Sequence, residues 1–414
     1  MPRSGQRHPP HPHPHPHLIA APPPAVNTTT PPPPASTAPP ADAPARTPPA
    51  GRARLAATAG LLVLAPICGE HLIGYDSSIG RPLDLLASLL FFIPLYGTVA
   101  VLIREAVRRR GGGPLALVAL AAAFGLAQAG LIDQSLFDPH VTGDPAYDDD
   151  RTHTLIPGTG LAAHPLLNYV AGHVIWTFTA PIVVIESLAP RIADRPWVHR
   201  RGLLTLGAFY LAAAALIHSD TGDVDVSPAQ LAATATAVLL LAAAALIRPK
   251  RRTPRTRPPA LSPPALPPPT PPSEAELVRA RWRRTWGPRL LAAAALTTFT
   301  THQLLPPTWA GTLADLAILT TVVALLHRAT RQHHRHHRTS SQGRRRALTV
   351  AGAALTVNAA LSFVVDPIGT VSYPAKYAAN ATLTVTVLLL LAAAHHQLTR
   401  ADPADPPPGA PREQ

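Results

Sequence analysis

Ten blocks of about 15 to 23 mainly apolar residues constrain this chain more than any other feature. A helix rises 1.5 Å per residue, so about 20 residues cross a ~30 Å hydrocarbon layer. The blocks run over residues 55–73, 85–103, 114–132, 166–188, 203–217, 229–247, 290–305, 309–326, 347–365 and 378–394. The fifth and seventh blocks are short, and the alternative for each of them is an interfacial segment or a tight hairpin. The sequence therefore predicts an all-α, polytopic transmembrane helical bundle of about ten spans.

Composition supports a membrane location over a soluble core. Hydrophobic residues make up 47% of the 414 residues but aromatic residues only 5%, and the 51 prolines lie mostly between or outside the apolar blocks. Segregation of this kind is typical of membrane proteins. Cys68 is the only cysteine, so no disulfide forms within the chain.

Pro-rich polar segments divide the chain into five parts. Residues 1–51 are predicted to be a disordered Pro/His-rich cytoplasmic tail, because such a composition buries too little apolar surface to order itself. A first membrane bundle of six spans covers 52–248, and a basic, Pro-rich cytoplasmic linker covers 249–286. A second membrane segment of four spans covers 287–398, and a disordered tail covers 399–414.

The charge of the connecting loops predicts the orientation. The even-numbered connections hold most of the arginines, including Arg104, Arg108 and Arg109, whereas the others are acidic or nearly uncharged, as at Asp148–Asp150. Because cytoplasmic loops are enriched in Arg and Lys, both termini are expected in the cytoplasm of a plasma-membrane protein. The expected partners are the bilayer and its anionic inner-leaflet lipids. The net charge of +13 lacks the aromatic-interleaved basic domain of a nucleic-acid-binding protein.

Polar side chains inside apolar spans are costly, which makes each a candidate for function. Six lie near the predicted outer ends of spans: Glu70, His71, Gln128, Asp133, His173 and Asp315. His173 lies ~10 Å into the fourth span, and Asp315 enters the eighth to a similar depth. We expect these residues to converge on one outward-facing polar cluster. The alternative is that each caps a helix or binds lipid headgroups.

Other polar and aromatic residues predict packing. Tyr96 and Trp176 are interpreted as packing residues or interface anchors, and Asn358 as a helix-packing contact. Histidine tracts over residues 8–17 and 333–337 suit zinc, nickel or copper, but the first lacks supporting ligands and the second is interleaved with arginines. We expect incidental metal binding there, no catalytic residues and no cofactor.

Four segments resemble a group of uncharacterised multi-pass membrane proteins of high-GC bacteria. They are FFIPLYG at 91–97, LIRE at 102–105, AFGLAQAGLIDQSLFDP at 123–139 and GHVIW at 172–176. The resemblance covers about the first five of the predicted spans. It implies a multi-pass architecture and no known activity.

A second resemblance is to intramembrane proteases related to CAAX-prenyl endopeptidases. That family uses a glutamate pair, an aromatic-x-x-x-His element and a later histidine motif. Tyr169 and His173 match the second element, but Gln128 and Ala129 stand at the nearest place for the glutamate pair. Without those carboxylates no general base activates water.

Three functions follow as alternatives. The first is a non-enzymatic membrane protein, permease-like or accessory to transport or export. The second is a degenerate CAAX-protease-like intramembrane enzyme whose site includes Glu70, Asp133 and His173. The third is a structural or sensory membrane protein. A transporter needs polar residues that reach the midplane from both sides, whereas an enzyme needs a tight cluster at one depth.

Overall fold

The computed structural model describes residues 50–140, 145–220, 225–247, 273–336 and 341–401. Most of the two predicted tails and of the predicted linker lies outside these described residues. Within the described ranges the structure is helical, and its β-type pairing is a single isolated bridge between Leu155 and Ala162.

The helices follow the order of the predicted apolar blocks, with one additional short helix between the third and fourth. They are α1 (Ala50–Pro66, then π-helical over Ile67–His71), α2 (Pro82–Phe92, π-helical over Ile93–Gly97, then Thr98–Arg109), α3 (Pro114–Ala127, then π-helical over Gln128–Ile132), α4 (Pro145–Thr152), α5 (Ala163–Gly172, π-helical over His173–Thr179, then Ala180–Leu188), α6 (Arg200–Asp220), α7 (Pro228–Leu246), α8 (Glu274–Leu304), α9 (Trp309–His336), α10 (Ser341–Leu361) and α11 (Tyr373–Arg400).

Eight of these helices are long and apolar enough to cross a membrane: α1, α2, α3, α5, α6, α7, α9 and α11. The other two predicted spans lie in α8 and α10. The apolar part of α10 begins after Arg346 and ends with the helix at Leu361, a length of about 22 Å at 1.5 Å per residue. The all-α bundle is therefore confirmed, and the count of ten spans stays a prediction.

Helix α8 begins earlier than the apolar block that it contains. Ser273 caps it, because the Ser273 hydroxyl accepts a hydrogen bond from the Glu276 backbone N–H while the Glu276 carboxylate accepts one from the Ser273 N–H. This reciprocal cap satisfies backbone donors that a helix start leaves free. The last part of the predicted linker is therefore helical.

Helix α5 is the central element of the bundle. Its apolar stretch is 61% buried, against 6% for α7 at the periphery. It packs against α1, α10 and α11, and its π-helical segment lies against that of α1. Gly97 lets helix α2 pack closely against α1, because a Cβ at that position would lie 2.2 Å from the Leu62 carbonyl oxygen. Small residues let membrane helices approach closely in this way.

Four of the helices contain π-helical segments, in which the backbone hydrogen bonds span five residues instead of four. The Leu72 N–H donates to the Ile67 carbonyl at the end of α1, and the Asp133 N–H donates to the Gln128 carbonyl at the end of α3. Pro94 lies inside the α2 segment and has no N–H to donate. Each segment shifts the helical register and so re-aims the side chains that it carries.

Candidate functional site

Glu70 lies in the π-helical segment of α1 and is the residue around which other polar groups collect. Its carboxylate accepts a hydrogen bond of 2.9 Å from the Tyr75 hydroxyl. The negative charge of Glu70, followed by burial, raises the pKa of Tyr75 well above its usual range. Tyr96 and His173 lie within electrostatic range of the same carboxylate.

His173 comes from the π-helical segment of α5. Its Nδ1 donates to the Tyr169 carbonyl at 2.8 Å, while its Nε2 is buried and has no hydrogen-bond partner among the described residues. Its ring meets Tyr96 edge-on, with the centroids 5.5 Å apart. Gly125 of α3 makes room for the ring, because a Cβ at that position would lie 2.9 Å from the His173 Cβ. The imidazole is therefore held in place from one nitrogen only.

Helix α3 contributes Gln128 and Asp133. The Gln128 amide donates to Asp133 Oδ2 at 3.1 Å, and the Ser135 N–H donates to Asp133 Oδ1 at 3.0 Å. Asp133 acts electrostatically on Tyr96 and on Tyr169. These contacts join the end of α3 to the residues around Glu70.

A contact between two tyrosines links helix α4 to helix α5 next to these residues. The Tyr147 hydroxyl of α4 lies 2.5 Å from the Tyr169 hydroxyl of α5. Burial raises the pKa of Tyr147, so its hydroxyl keeps its proton and remains a hydrogen-bond donor. Because the Tyr169 carbonyl is also the acceptor for His173, α4 is connected to the imidazole through a single residue.

All four π-helical segments supply a side chain to this one cluster. We define the Glu70 cluster as Glu70, Tyr75, Tyr96, Gln128, Asp133, Tyr169 and His173. Four of its members lie in the four different π-helical segments: Glu70, Tyr96, Gln128 and His173. Single-turn π-helical insertions are rare and occur frequently at functional sites.

Of the six residues predicted to converge, the structure therefore brings Glu70, Gln128, Asp133 and His173 together. His71 is buried; its Nδ1 lies 3.8 Å from Asp76 Oδ2 and its ring lies against Phe92, neither of which belongs to the cluster. Within the part of the chain that the structure describes, neither of its ring nitrogens has a hydrogen-bond partner.

Asp315 belongs to a separate polar pair. Its Oδ1 lies 2.7 Å from His302 Nδ1, and both side chains are 1% exposed. The Trp176 ring stacks on His302 at 5.7 Å and 16°, and its indole N–H donates to the Ala354 carbonyl. Trp176 and His173 lie in the same π-helical segment and face different polar groups, which is why Asp315 does not reach the Glu70 cluster.

A buried ion-pair network lies in α2 and α5, away from the Glu70 cluster. Arg104 contacts both Glu105 and Glu186, at 2.6 and 3.2 Å, and Arg108 reaches Glu186 at 2.5 Å. Arg104 also stacks on Trp197, and the Trp197 N–H donates to Glu105. The charge pattern of the sequence predicts a loop for these arginines, whereas the structure has them in helix α2. The i, i+4 spacing of Glu105 and Arg109 was the available signal of a paired helix.

Among the described residues, no three His, Cys, Asp or Glu side chains lie close enough together to hold a metal ion. The histidine tract over residues 8–17 lies outside the described residues, and the tract over 333–337 lies at the end of α9 and beyond it. Metal binding by these tracts stays a prediction.

Apolar helices of membrane-crossing length, with polar groups buried between them, define a polytopic α-helical membrane protein. The chain belongs to an uncharacterized membrane protein family, whose sequence profile matches residues 61–401. The matched region contains the whole Glu70 cluster. No curated protein matches the chain, and no solved structure matches it.

Proposed function

We propose that this protein is a non-enzymatic, permease-like membrane protein that binds a small polar solute at the Glu70 cluster. The observation that carries the proposal is that four π-helical segments, one in each of four helices, supply Glu70, Tyr96, Gln128 and His173 to one place. Polar side chains inside a membrane are costly and generally serve a function.

The unpartnered nitrogen of His173 supports a binding role over a purely structural one. A buried polar atom without a partner costs about 1–3 kcal/mol, and packing alone gives no reason to keep it. A bound solute that supplies a hydrogen bond to Nε2 removes this cost. The partial exposure of Glu70, Tyr75 and Asp133 leaves the carboxylates within reach of such a solute.

We also propose that the α1 end at His71 faces the outside and that the opposite end faces the cytoplasm of a plasma-membrane protein, where arginines contact anionic lipids. The sole cysteine, Cys68, is buried, so added cysteines can be labelled selectively. The pair His153→Cys and Arg346→Cys tests the orientation, because both positions are exposed. A membrane-impermeant maleimide should label the first and spare the second in intact cells, and the reverse pattern contradicts the proposed orientation.

The binding proposal is tested by a thermal-unfolding screen of purified protein against ions, lipids and small metabolites. Wild type is compared with His173→Ala and with Asp84→Asn, a control at an exposed carboxylate that pairs with Arg81 at the surface. We expect a stabilising compound whose effect is lost in His173→Ala and kept in Asp84→Asn. A compound that stabilises all three proteins equally, or the absence of any stabilising compound, contradicts the proposal.

The same screen separates this function from the enzymatic alternative. A permease-like protein returns the bound compound unchanged, whereas an intramembrane enzyme converts it. Mass spectrometry of the compound after incubation with wild-type protein should therefore recover it intact. A new product that fails to form with His173→Ala contradicts the non-enzymatic assignment.

A further inference from the structure

The hydrogen bond at His173 Nδ1 determines which kind of group the other ring nitrogen, Nε2, can bind. A carbonyl oxygen only accepts, so the 2.8 Å contact to Tyr169 requires a proton on His173 Nδ1. In the neutral imidazole the other nitrogen, Nε2, then carries a lone pair. This lone pair is buried and receives no hydrogen bond from any residue that the structure describes.

Glu70, whose carboxylate lies within electrostatic range of His173, also accepts hydrogen bonds. An ionised Glu70 carboxylate has only acceptor oxygens, and it receives a hydrogen bond from Tyr75. Tyr96, His173 and Asp76 also lie within electrostatic range of the Glu70 carboxylate, and Asp76 adds a second negative charge there. Two acceptors therefore lie in one region, and one of them, His173 Nε2, receives no hydrogen bond from the described residues.

The surrounding charges and rings favour a cation. Asp133 acts on Tyr96 from the α3 side, so carboxylates approach the cluster from both α1 and α3. Phe92 stacks on Tyr96 at 5.4 Å, and Phe178 lies 6.0 Å from the His173 ring. The face of an aromatic ring attracts a cation within about 6 Å.

We propose that the Glu70 cluster binds a protonated amine, whose N–H groups donate to the Glu70 carboxylate and to His173 Nε2 and whose charge lies against the Tyr96 ring. This inference rests on the proposed function and adds the chemical class of the ligand. An ammonium group supplies both missing features, several N–H donors and a positive charge, in one small group.

Other ligand classes fit the same atoms less well. An anion is repelled by Glu70, Asp76 and Asp133. A neutral hydroxyl donates a single hydrogen bond and carries no charge. It can therefore donate to His173 Nε2 or to the Glu70 carboxylate but not to both, and it does not balance the carboxylate charge. A quaternary ammonium satisfies the rings but has no N–H for Nε2, which makes it the informative comparison.

The test uses methylammonium, tetramethylammonium and sodium at equal ionic strength, with the full chain in lipid nanodiscs and thermal unfolding as the readout. We expect methylammonium to stabilise the wild-type protein most, because it alone combines charge with N–H donors. Glu70→Gln and His173→Ala should each weaken methylammonium binding about ten- to a hundredfold, as expected when a charge-assisted hydrogen bond is lost. Asp84→Asn should bind as wild type does.

Tyr75→Phe serves as a second variant if Glu70→Gln fails to fold, because it removes one hydrogen bond to the carboxylate and keeps the charge. Methylammonium binding should weaken, because the carboxylate loses the hydrogen bond that holds it in place, while methylammonium should still stabilise this variant more than tetramethylammonium does. Equal stabilisation by sodium and methylammonium, or methylammonium binding that survives in both His173→Ala and Glu70→Gln, overturns the amine assignment.

Failure of the amine assignment is distinguishable from failure of the proposed function. An uncharged or anionic compound that stabilises wild type and not His173→Ala keeps the site and overturns the amine. Should no compound of any class depend on His173, both the amine assignment and the binding site are overturned.

Discussion

Glu186 should be among the most sensitive positions in the protein. Its carboxylate accepts three hydrogen bonds, from Arg104 Nε at 3.2 Å, Arg108 Nε at 2.7 Å and Arg108 Nη2 at 2.5 Å. Glu186→Gln keeps the shape but replaces one acceptor oxygen with an N–H₂ group, which meets guanidinium N–H groups. It also leaves Arg104, which is fully buried, with only Glu105 to balance its charge.

Removing one partner of a buried ion pair costs about 3–5 kcal/mol, because the remaining charge stays buried and uncompensated. We expect a loss of this size in the free energy of unfolding of Glu186→Gln, measured by reversible detergent-induced unfolding. The matched control is Asp194→Asn, which breaks the exposed pair between Asp194 and Arg344. Exposed pairs contribute about 0.2–1 kcal/mol. A loss for Glu186→Gln below about 1 kcal/mol, or no larger than that of the control, refutes the buried network.

Two further predictions concern the Glu70 cluster. Gly125→Ala places a Cβ against His173 and should weaken the binding of any ligand that depends on His173. Gly172→Ala is the control, because a Cβ at that position meets no other atom, and it should bind as wild type does. Equal binding by the two variants contradicts the packing of α3 against His173. Because the Glu70 charge and burial raise the pKa of Tyr75, the folded protein keeps that proton where the unfolded chain releases it. This contribution to stability is complete below about pH 10 and falls as the pH rises further. Tyr75→Phe should therefore lose less stability than wild type between about pH 9 and 11, and equal slopes would argue against the contact with Glu70.

The sequence was sufficient for the helices and insufficient for the site. Apolar length locates a membrane helix because the bilayer sets the length, and each of the ten predicted blocks has most of its residues in a helix. The ninth block was predicted to run to residue 365, but its helix ends at Leu361. A π-helical segment has no comparable signal in a single sequence, since it changes the register by one residue without changing the composition. Tyr96 was therefore interpreted as a packing residue, although its segment of α2 turns it toward Glu70.

Depth in the membrane was likewise an incomplete guide to contact. Asp315 was grouped with His173 because both lie at a similar depth in their spans. The structure separates them, because contact also depends on which face of a helix each residue occupies, and Asp315 pairs with His302 on the Trp176 side of α5. Similarly, Arg104 was counted with the charges of a loop, although it is buried inside α2.

The most direct test of the Glu70 cluster as one binding site is a double-variant cycle on ligand affinity. Binding of the strongest stabilising compound is measured in wild type, Glu70→Gln, His173→Ala and the double variant. If both side chains hold the same ligand, the two losses of binding free energy are non-additive. The double variant then binds only slightly more weakly than the single variant that has the lower affinity. Fully additive losses, or binding that is unchanged in either single variant, would contradict a shared site.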